Sequence, residues 1–311
     1  LAQDKARRMF LQACGGPVDG ALLRPIRPDA ARISLCSLQT LLLEEEVRMS
    51  TFHVMTGATG TIVRPEVRQI AVADVFAALR EGYEDFREKP SHYAFVALIY
   101  PIAGAIMIGW SAGVELLPMV YPLLAGFALV GPLLALGLME ISRRRELGQP
   151  AEWSDVLNIF KSPSLPALLM MSLYLLTLFM VWLVVSRGLY LSLIGDYPSP
   201  GLFAFASEIL DHPNALAFLF WSNAFGFVLA LVALVISIVA FPMLLDRDCG
   251  AASAVSTSVR ASLANPVPVA VWGLTVAALL AIGMATLMVG LVVIVPVLGH
   301  ATWHFYRRLV V

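Results

Sequence analysis

The sequence predicts an all-α polytopic membrane protein with six transmembrane helices, arranged as three repeats of an amphipathic helix plus a transmembrane hairpin. Three observations lead to this fold class. Hydrophobic residues make up 59% of the chain and charged residues 14%, whereas soluble domains have roughly 45–50% and about 25%. Long stretches of the chain contain no Asp, Glu, Lys or Arg. Finally, one unit of sequence recurs three times, which is typical of proteins assembled from repeats.

Each uncharged stretch is long enough to cross a bilayer, because a spanning helix needs about 20 apolar residues. The stretches are 91–114, 116–139, 162–186, 213–245 and 261–306.

The last stretch is too long for one helix, because 267–306 would span roughly 60 Å, about twice the hydrocarbon thickness. Small residues follow one another at four-residue spacing from Gly273 to Ala285, and such residues let membrane helices approach closely. We therefore predict a fifth helix that ends near Ala285, a tight turn near Gly290 and a sixth helix after it. A single kinked span is the alternative.

Every repeat begins with an amphipathic segment that ends at a proline. The prolines are Pro90, Pro163 and Pro266. The segments either lie in the membrane interface or cap the bundle. Their apolar faces are predicted to comprise Val72, Val75, Phe76, Leu79, Tyr83 and Phe86 in the first repeat, Trp153, Val156, Leu157 and Phe160 in the second, and Ala252, Val255, Val259 and Leu263 in the third.

Every repeat ends with arginines. Pro132 lies eleven residues before Arg143, and Pro296 lies eleven residues before Arg307. Because Lys and Arg are retained on the cytoplasmic side, this distribution predicts cytoplasmic termini and an even number of spans. The predicted topology anchors, which could also bind anionic lipid headgroups, are Arg143, Arg144, Arg145, Arg247, Arg307 and Arg308.

The first part of the chain differs from the repeats. Residues 1–60 are expected to be an N-terminal extension without fixed structure, with Met49 as a natural start, because no amphipathic pattern persists there. Residues 61–311 are expected to form the six-helix membrane domain.

Four motifs carry a resemblance to a known family. They are "REGYEDFREKPSHY", "SRRRELGQPAEWSDV", "DRDCGAASAVSTSVRASLANP" and "HATWHFYRR". From about Ile70 to its end, the chain resembles an uncharacterised bacterial family of predicted integral membrane proteins, a domain of unknown function whose members are sometimes labelled cytochrome c oxidase subunit I. The resemblance implies a six-helix protein of the bacterial cytoplasmic (inner) membrane and no established activity.

The histidines do not support an oxidase catalytic subunit, which needs about six histidine ligands spread over several helices. The chain has five histidines, and only His300 and His304 lie on a predicted membrane helix at ligand spacing. Two imidazoles and the carboxylate of Glu140, which is equivalent to His304 in the first repeat, could bind a metal or haem. The alternative, which we favour, is that they are polar packing residues near the cytoplasmic boundary, and no cofactor is expected.

The motif "GWSAG", residues 109–113, fits the G-x-S-x-G pattern of serine hydrolases. However, that pattern needs a strand-to-helix turn, and here it is predicted to form the outer turn of a helical hairpin. We therefore expect no catalytic residues and no enzymatic activity.

These observations predict an accessory or scaffold protein that associates with membrane lipids and with a larger membrane complex, such as a respiratory one. A small-solute transporter or channel and a metal- or haem-binding protein are the alternatives. The near-zero net charge and the absence of a basic patch exclude nucleic acid as a partner.

Overall fold

The computed structural model describes residues 64–88, 117–152, 157–195, 202–286 and 288–311. All of them lie in the unit Ser50–Val311. The predicted N-terminal extension, the first uncharged stretch at 91–114 and the "GWSAG" motif lie outside the described residues.

Ten α-helices and one short 3-10 helix form within this part of the chain, as the all-α class predicts. The 3-10 helix is Leu157–Lys161. The α-helices are α1 (Val72–Glu88), α2 (Leu117–Leu134), α3 (Leu136–Glu146), α4 (Leu165–Leu193), α5 (Leu202–Asp211), α6 (Ala215–Ser237), α7 (Ala240–Asp246), α8 (Ala251–Ala264), α9 (Pro266–Ala285) and α10 (Leu291–Leu309).

Three helical segments of the described chain are long and apolar enough to cross a membrane: α4, the continuous stretch of α6 and α7, and α9. The prediction of six spans is thus confirmed only as an all-α architecture with three candidate spans. The division of the C-terminal stretch is confirmed, because α9 ends at Ala285 and α10 begins after Gly290. The alternative prediction of a single kinked span is therefore wrong.

The two ends of the described chain are joined by backbone hydrogen bonds. Val67 and Val310 form an isolated antiparallel bridge, and the Arg68 amide donates to the Leu309 carbonyl at 2.9 Å. The side chain of Asn265, between α8 and α9, accepts from the Ile70 amide and donates to the Arg68 carbonyl. Residues 64–70 are therefore fixed against the last helix and against the start of α9.

Helix α1 packs along α10 through small residues rather than through its larger apolar ones. Val75, Ala78 and Gly82 are buried, whereas Phe76 and Tyr83 are 57% and 47% exposed. The predicted apolar face is therefore wrong for Phe76 and Tyr83, whereas Val75 is buried and Leu79 and Phe86 pack against the core. Two helix backbones approach closely only where side chains are small, and this requirement outweighs the hydrophobic periodicity.

In helix α8, too, the small residues are the buried ones. Its buried face consists of alanines and hydroxyl residues such as Ala254, Thr257 and Ala261, while Leu263 of the predicted stripe is 75% exposed. In the second repeat, residues 153–156 lie outside the described part, but Leu157 and Phe160 are also exposed.

The spans α4 and α6 pack against each other and against α2 around one tryptophan. The indole of Trp182 donates to the Pro122 carbonyl at 2.7 Å. Gly126 of α2 and Gly226 of α6 leave room for it, since a Cβ at either position would lie within about 3.2 Å of the indole ring. Trp182 is 3% exposed, so the centre of this helix packing is filled.

Candidate functional site

The charged residues of α1, α3, α7 and α10 meet at the ends of these helices and pair with one another. We call this cluster the polar layer; its members are Glu81, Asp85, Glu140, Ser142, Arg143, Arg144, Arg145, Glu146, Asp246, His300, His304, Arg307 and Arg308. Pro132 near the end of α2 precedes the layer residues of α3, and Pro296 precedes those of α10 within the same helix. The layer thus lies at the helix ends where the sequence predicted the arginines of each repeat.

Asp85 of α1 lies at the centre of the part that holds the two histidines. Its Oδ2 is 2.9 Å from Nε2 of His304 and accepts a hydrogen bond from the Ser142 hydroxyl. The Ser142 oxygen lies 2.8 Å from Nδ1 of His300. Arg145 donates to the backbone oxygen and to the carboxylate of Asp85. One carboxylate therefore connects α1, α3 and α10.

This environment lowers the pKa of Asp85. Burial alone would raise it, but hydrogen bonds from His304 and Ser142, together with the charges of the histidines, outweigh burial and lower the pKa to about 2. The pKa of Glu81 is also lowered, chiefly by its hydrogen bond with Arg308. Both carboxylates are thus ionised at neutral pH.

The six predicted anchors are all in ion pairs. Arg143 and Arg144 both bind the carboxylate of Glu140, at 2.7 and 2.8 Å, and Arg308 binds Glu81 at 2.6 Å. Arg145 pairs with Asp85 and Glu88, Arg307 with Glu146 and Asp246, and Arg247 with Asp246. These pairs direct the charge of the arginines largely towards the protein.

Arg307 joins the ends of all three repeats. From α10 it reaches Glu146 at the end of α3, at 2.9 Å, and Asp246 at the end of α7, at 3.6 Å. Trp303 donates to Glu146 and Tyr306 donates to Asp246, at 2.8 and 2.7 Å. The ends of α3, α7 and α10 are therefore held at one level of the structure.

The predicted histidine site is only partly assembled as expected. The sequence placed Glu140 beside His304, but the partners that Glu140 binds are Arg143 and Arg144. His304 instead has Asp85 at Nε2 and Glu81 at 3.3 Å from Nδ1. A metal that binds a ring nitrogen of His304 would therefore have to displace Asp85 or Glu81 from that nitrogen. Among the described residues, no group of three or more His, Cys, Asp or Glu side chains has the geometry of a metal site.

Ser142, His300 and Asp85 are the residue types of a hydrolytic triad, but they do not have its arrangement. In a triad the serine donates to the histidine and the carboxylate binds the other ring nitrogen. Here Ser142 donates to Asp85 itself, so its one hydroxyl hydrogen is not directed at His300. Ser142 and His300 are 1% and 0% exposed. The cluster joins α1, α3 and α10.

Sequence reasoning missed most of the acids of the layer. Glu140 was singled out as a candidate, but Asp85, Glu146 and Asp246 were not. A signal was present: two of the three predicted basic ends have an acid within a few residues, as in "MEISRRRE" and "LLDRD". However, the pairing of α1 with α10 joins residues more than 200 positions apart, and a repeat pattern does not specify it.

Comparison with known proteins supports the membrane assignment. The model of a family described as "Predicted integral membrane protein (DUF2189)" matches residues 120–246. These residues run from α2 to the end of α7, a shorter range than the resemblance suggested. No curated protein and no solved structure matches the chain. The resemblance to an integral membrane family of unknown function is confirmed over that range.

Proposed function

We propose that this chain, whose residues 120–246 match the model of the DUF2189 family of predicted integral membrane proteins, is a non-enzymatic accessory or scaffold protein of the bacterial cytoplasmic membrane. It crosses the membrane six times, has both ends in the cytoplasm and docks onto a larger membrane complex.

The observation that carries this proposal is the distribution of polar and apolar surface. The polar layer satisfies its charges internally, and the centre between α2, α4 and α6 is filled by Trp182. What the spans present outward is apolar: Leu173 and Val184 on α4 are 64% and 72% exposed, and Phe220 and Phe227 on α6 are both 64% exposed. Such a surface suits lipid or another membrane protein rather than a soluble substrate.

The polar layer also supports an even number of spans. Helix α4 leaves after the 3-10 helix, and α7 returns to place Asp246 beside Arg307. Helix α9 leaves after α8, and α10 returns to place Arg307 beside Glu146. Because the ends of α3, α7 and α10 meet, these two hairpins each cross and return.

Site-specific photocrosslinking in cells tests the docking role. A photoreactive residue at Leu173, Val184, Phe220 or Phe227 should crosslink to the same membrane protein from one face of the domain, and the complex should survive purification in mild detergent. Buried Leu175 is the matched control on α4, since it is 0% exposed and should crosslink only within the chain. Crosslinks to lipid alone, with the protein migrating as a lone chain, would contradict the accessory role.

A small-solute transporter is the second candidate, favoured by two buried hydroxyls. Ser186 of α4 and Ser222 of α6 are 4% and 5% exposed, and neither hydroxyl has a hydrogen-bond partner. Tyr190 contacts Phe218 and Trp182 contacts Gly226, which places Ser186 and Ser222 at the same level between these contacts. Solute uptake into proteoliposomes that is lost in a Ser186→Ala, Ser222→Ala double variant would favour this candidate.

A further inference from the structure

The segment that precedes the first span of each repeat has large apolar side chains on its outer side. In α1, Phe76 and Tyr83 are 57% and 47% exposed, and in the 3-10 helix Leu157 and Phe160 are 61% and 68% exposed. At the end of α8, Leu263 is 75% exposed. We call these five residues the boundary surface. Exposed aromatic and aliphatic side chains on three separate segments indicate a common environment.

The inner side of the same segments does not compete for these residues. Helix α1 uses Val75, Ala78 and Gly82 against α10, and the 3-10 helix directs Ile159 into the core. The large side chains are therefore free to contact something outside the domain. In water this arrangement would expose apolar surface at a cost of about 25 cal/mol per Å².

Basic side chains flank the boundary surface. Arg80 and Arg87 lie on the exposed side of α1, and Lys161 follows Phe160 directly and is exposed. The Arg87 guanidinium lies over the Tyr83 ring, 5.8 Å from its centre, and Arg80 pairs with Glu84. Aromatic rings next to Arg and Lys are typical of helices that lie at the boundary between headgroups and acyl chains.

The boundary surface is continuous with a candidate span. Leu263 lies in the last turn of α8, which ends at Ala264. Only Asn265 separates α8 from α9, and Val267 in the first turn of α9 is 61% exposed. The apolar surface of the span thus extends without a polar break onto the preceding helix.

We propose that the boundary surface binds the headgroup–acyl boundary of an anionic bilayer, with α1, the 3-10 helix and α8 partly immersed there. Lipid is the occupant because it surrounds the whole domain and therefore meets all three repeats, whereas one protein partner would cover one side. The flanking arginines and Lys161 match anionic headgroups. This binding does not depend on docking to a larger complex.

Spin labels on the full chain test the proposal in vesicles of phosphatidylethanolamine and phosphatidylglycerol in equal parts. Cys14 and Cys36 are replaced by Ser, and Cys249 stays because it is buried. Single cysteines then replace Phe76, Tyr83 or Phe160. Glu84→Cys provides the water-facing control on α1, and Leu173→Cys provides the span reference. Collisions of each label with oxygen, which partitions into lipid, and with a water-soluble nickel chelate are measured.

We expect the oxygen-to-nickel collision ratio at positions 76, 83 and 160 to be several-fold higher than at position 84 and lower than at position 173. A ratio equal to that at position 84 would show that the surface faces water and would overturn the proposal. Weak collision with both reagents would show a protein cover and would also overturn it.

The contribution of charge is tested in phosphatidylcholine alone. Loss of anionic headgroups should lower the ratio at positions 76 and 160. An unchanged ratio there would overturn the part of the proposal that assigns headgroup binding to Arg80, Arg87 and Lys161.

Discussion

Gly82 of α1 lies directly against the backbone of Ala301 in α10. A Cβ built on Gly82 would stand 2.5 Å from the Ala301 amide nitrogen and 2.6 Å from its Cα, closer than any side chain can come. This contact brings Asp85, one turn later on α1, to His304 on α10. The polar layer therefore depends on an approach of two helix backbones that only glycine permits at this position.

Replacing Gly82 by alanine should separate α1 from α10. The neighbouring atoms are backbone and cannot rotate away, so we expect a loss of about 1–3 kcal/mol, the usual cost of overpacking. The measurement is the melting temperature of the detergent-purified protein. Gly188→Ala in α4 is the control, because a Cβ there meets nothing within 4 Å. Equal melting temperatures for the two variants would show that the close approach is not needed.

Replacing Asp85 by asparagine should destabilise the protein at neutral pH and much less in acid. Because the pKa of Asp85 is lowered from 3.8 to about 2, its ionised form contributes about 2 kcal/mol above pH 4. That contribution is lost as the pH falls from about 4 to about 2. The free energies of unfolding of the wild type and the variant should therefore converge as the pH falls through this window. Glu84→Gln is the control, because Glu84 forms an exposed ion pair with Arg80. Its replacement should change the free energy of unfolding by less than about 1 kcal/mol. A constant difference between wild type and Asp85→Asn at all pH values would contradict this account.

Replacing His300 and His304 together by glutamine should cost no more than the contribution of about 2 kcal/mol assigned to ionised Asp85, because the histidines lower the pKa of Asp85 and glutamine keeps a hydrogen-bond donor. Elemental analysis and the absorption spectrum of the purified wild type should show neither a stoichiometric metal nor haem. A cofactor that is present in the wild type and lost from the double variant would establish the histidine site that the sequence left open.

Replacing Trp182 by phenylalanine should weaken the packing of α2, α4 and α6. The variant loses the hydrogen bond to the Pro122 carbonyl and part of a buried indole, and it leaves space beside Gly126 and Gly226. We expect a loss of about 1–3 kcal/mol, seen as a lower melting temperature in detergent. Trp221→Phe is the matched control, since Trp221 is 58% exposed. A variant as stable as this control would show that the indole is not central to the packing.

Local patterns in the sequence predicted the elements of this fold well. Prolines and helical periodicity placed α1 and α8, and the length of the last stretch placed the turn near Gly290. These features depend on residues that are close together in the chain. The steric restriction by proline and the thickness of the bilayer are therefore sufficient to predict them.

The packing faces could not be predicted in this way. A hydrophobic stripe indicates the buried face of a helix in water, but next to a membrane the outer side can be apolar as well. Phe76 and Tyr83 therefore face outward, while Val75 of the same stripe faces inward beside the small residues Ala78 and Gly82. The small residues of α9 show the opposite error. Ala277, Ala281 and Ala285 recur at four-residue spacing but are exposed, so this spacing did not predict a contact with another described helix.

The candidate site was predicted in part. His300 and His304 do lie on one polar cluster, and all six arginines lie at helix ends. Their partner Asp85 could not be found, because the joining of α1 to α10 depends on the close contact at Gly82 and not on any pattern near the histidines.

The central claim is that α10 crosses back, so that both ends of the membrane domain and the polar layer lie on the cytoplasmic side. Reporter fusions after Arg308, in the segment 148–152 and within α5 test it most directly. The account predicts a cytoplasmic signal for the first two and a periplasmic signal for the fusion within α5. A fusion after Arg308 that reports the same side as α5 would contradict it, because α10 would then not return and Arg307 could not lie beside Glu146 and Asp246.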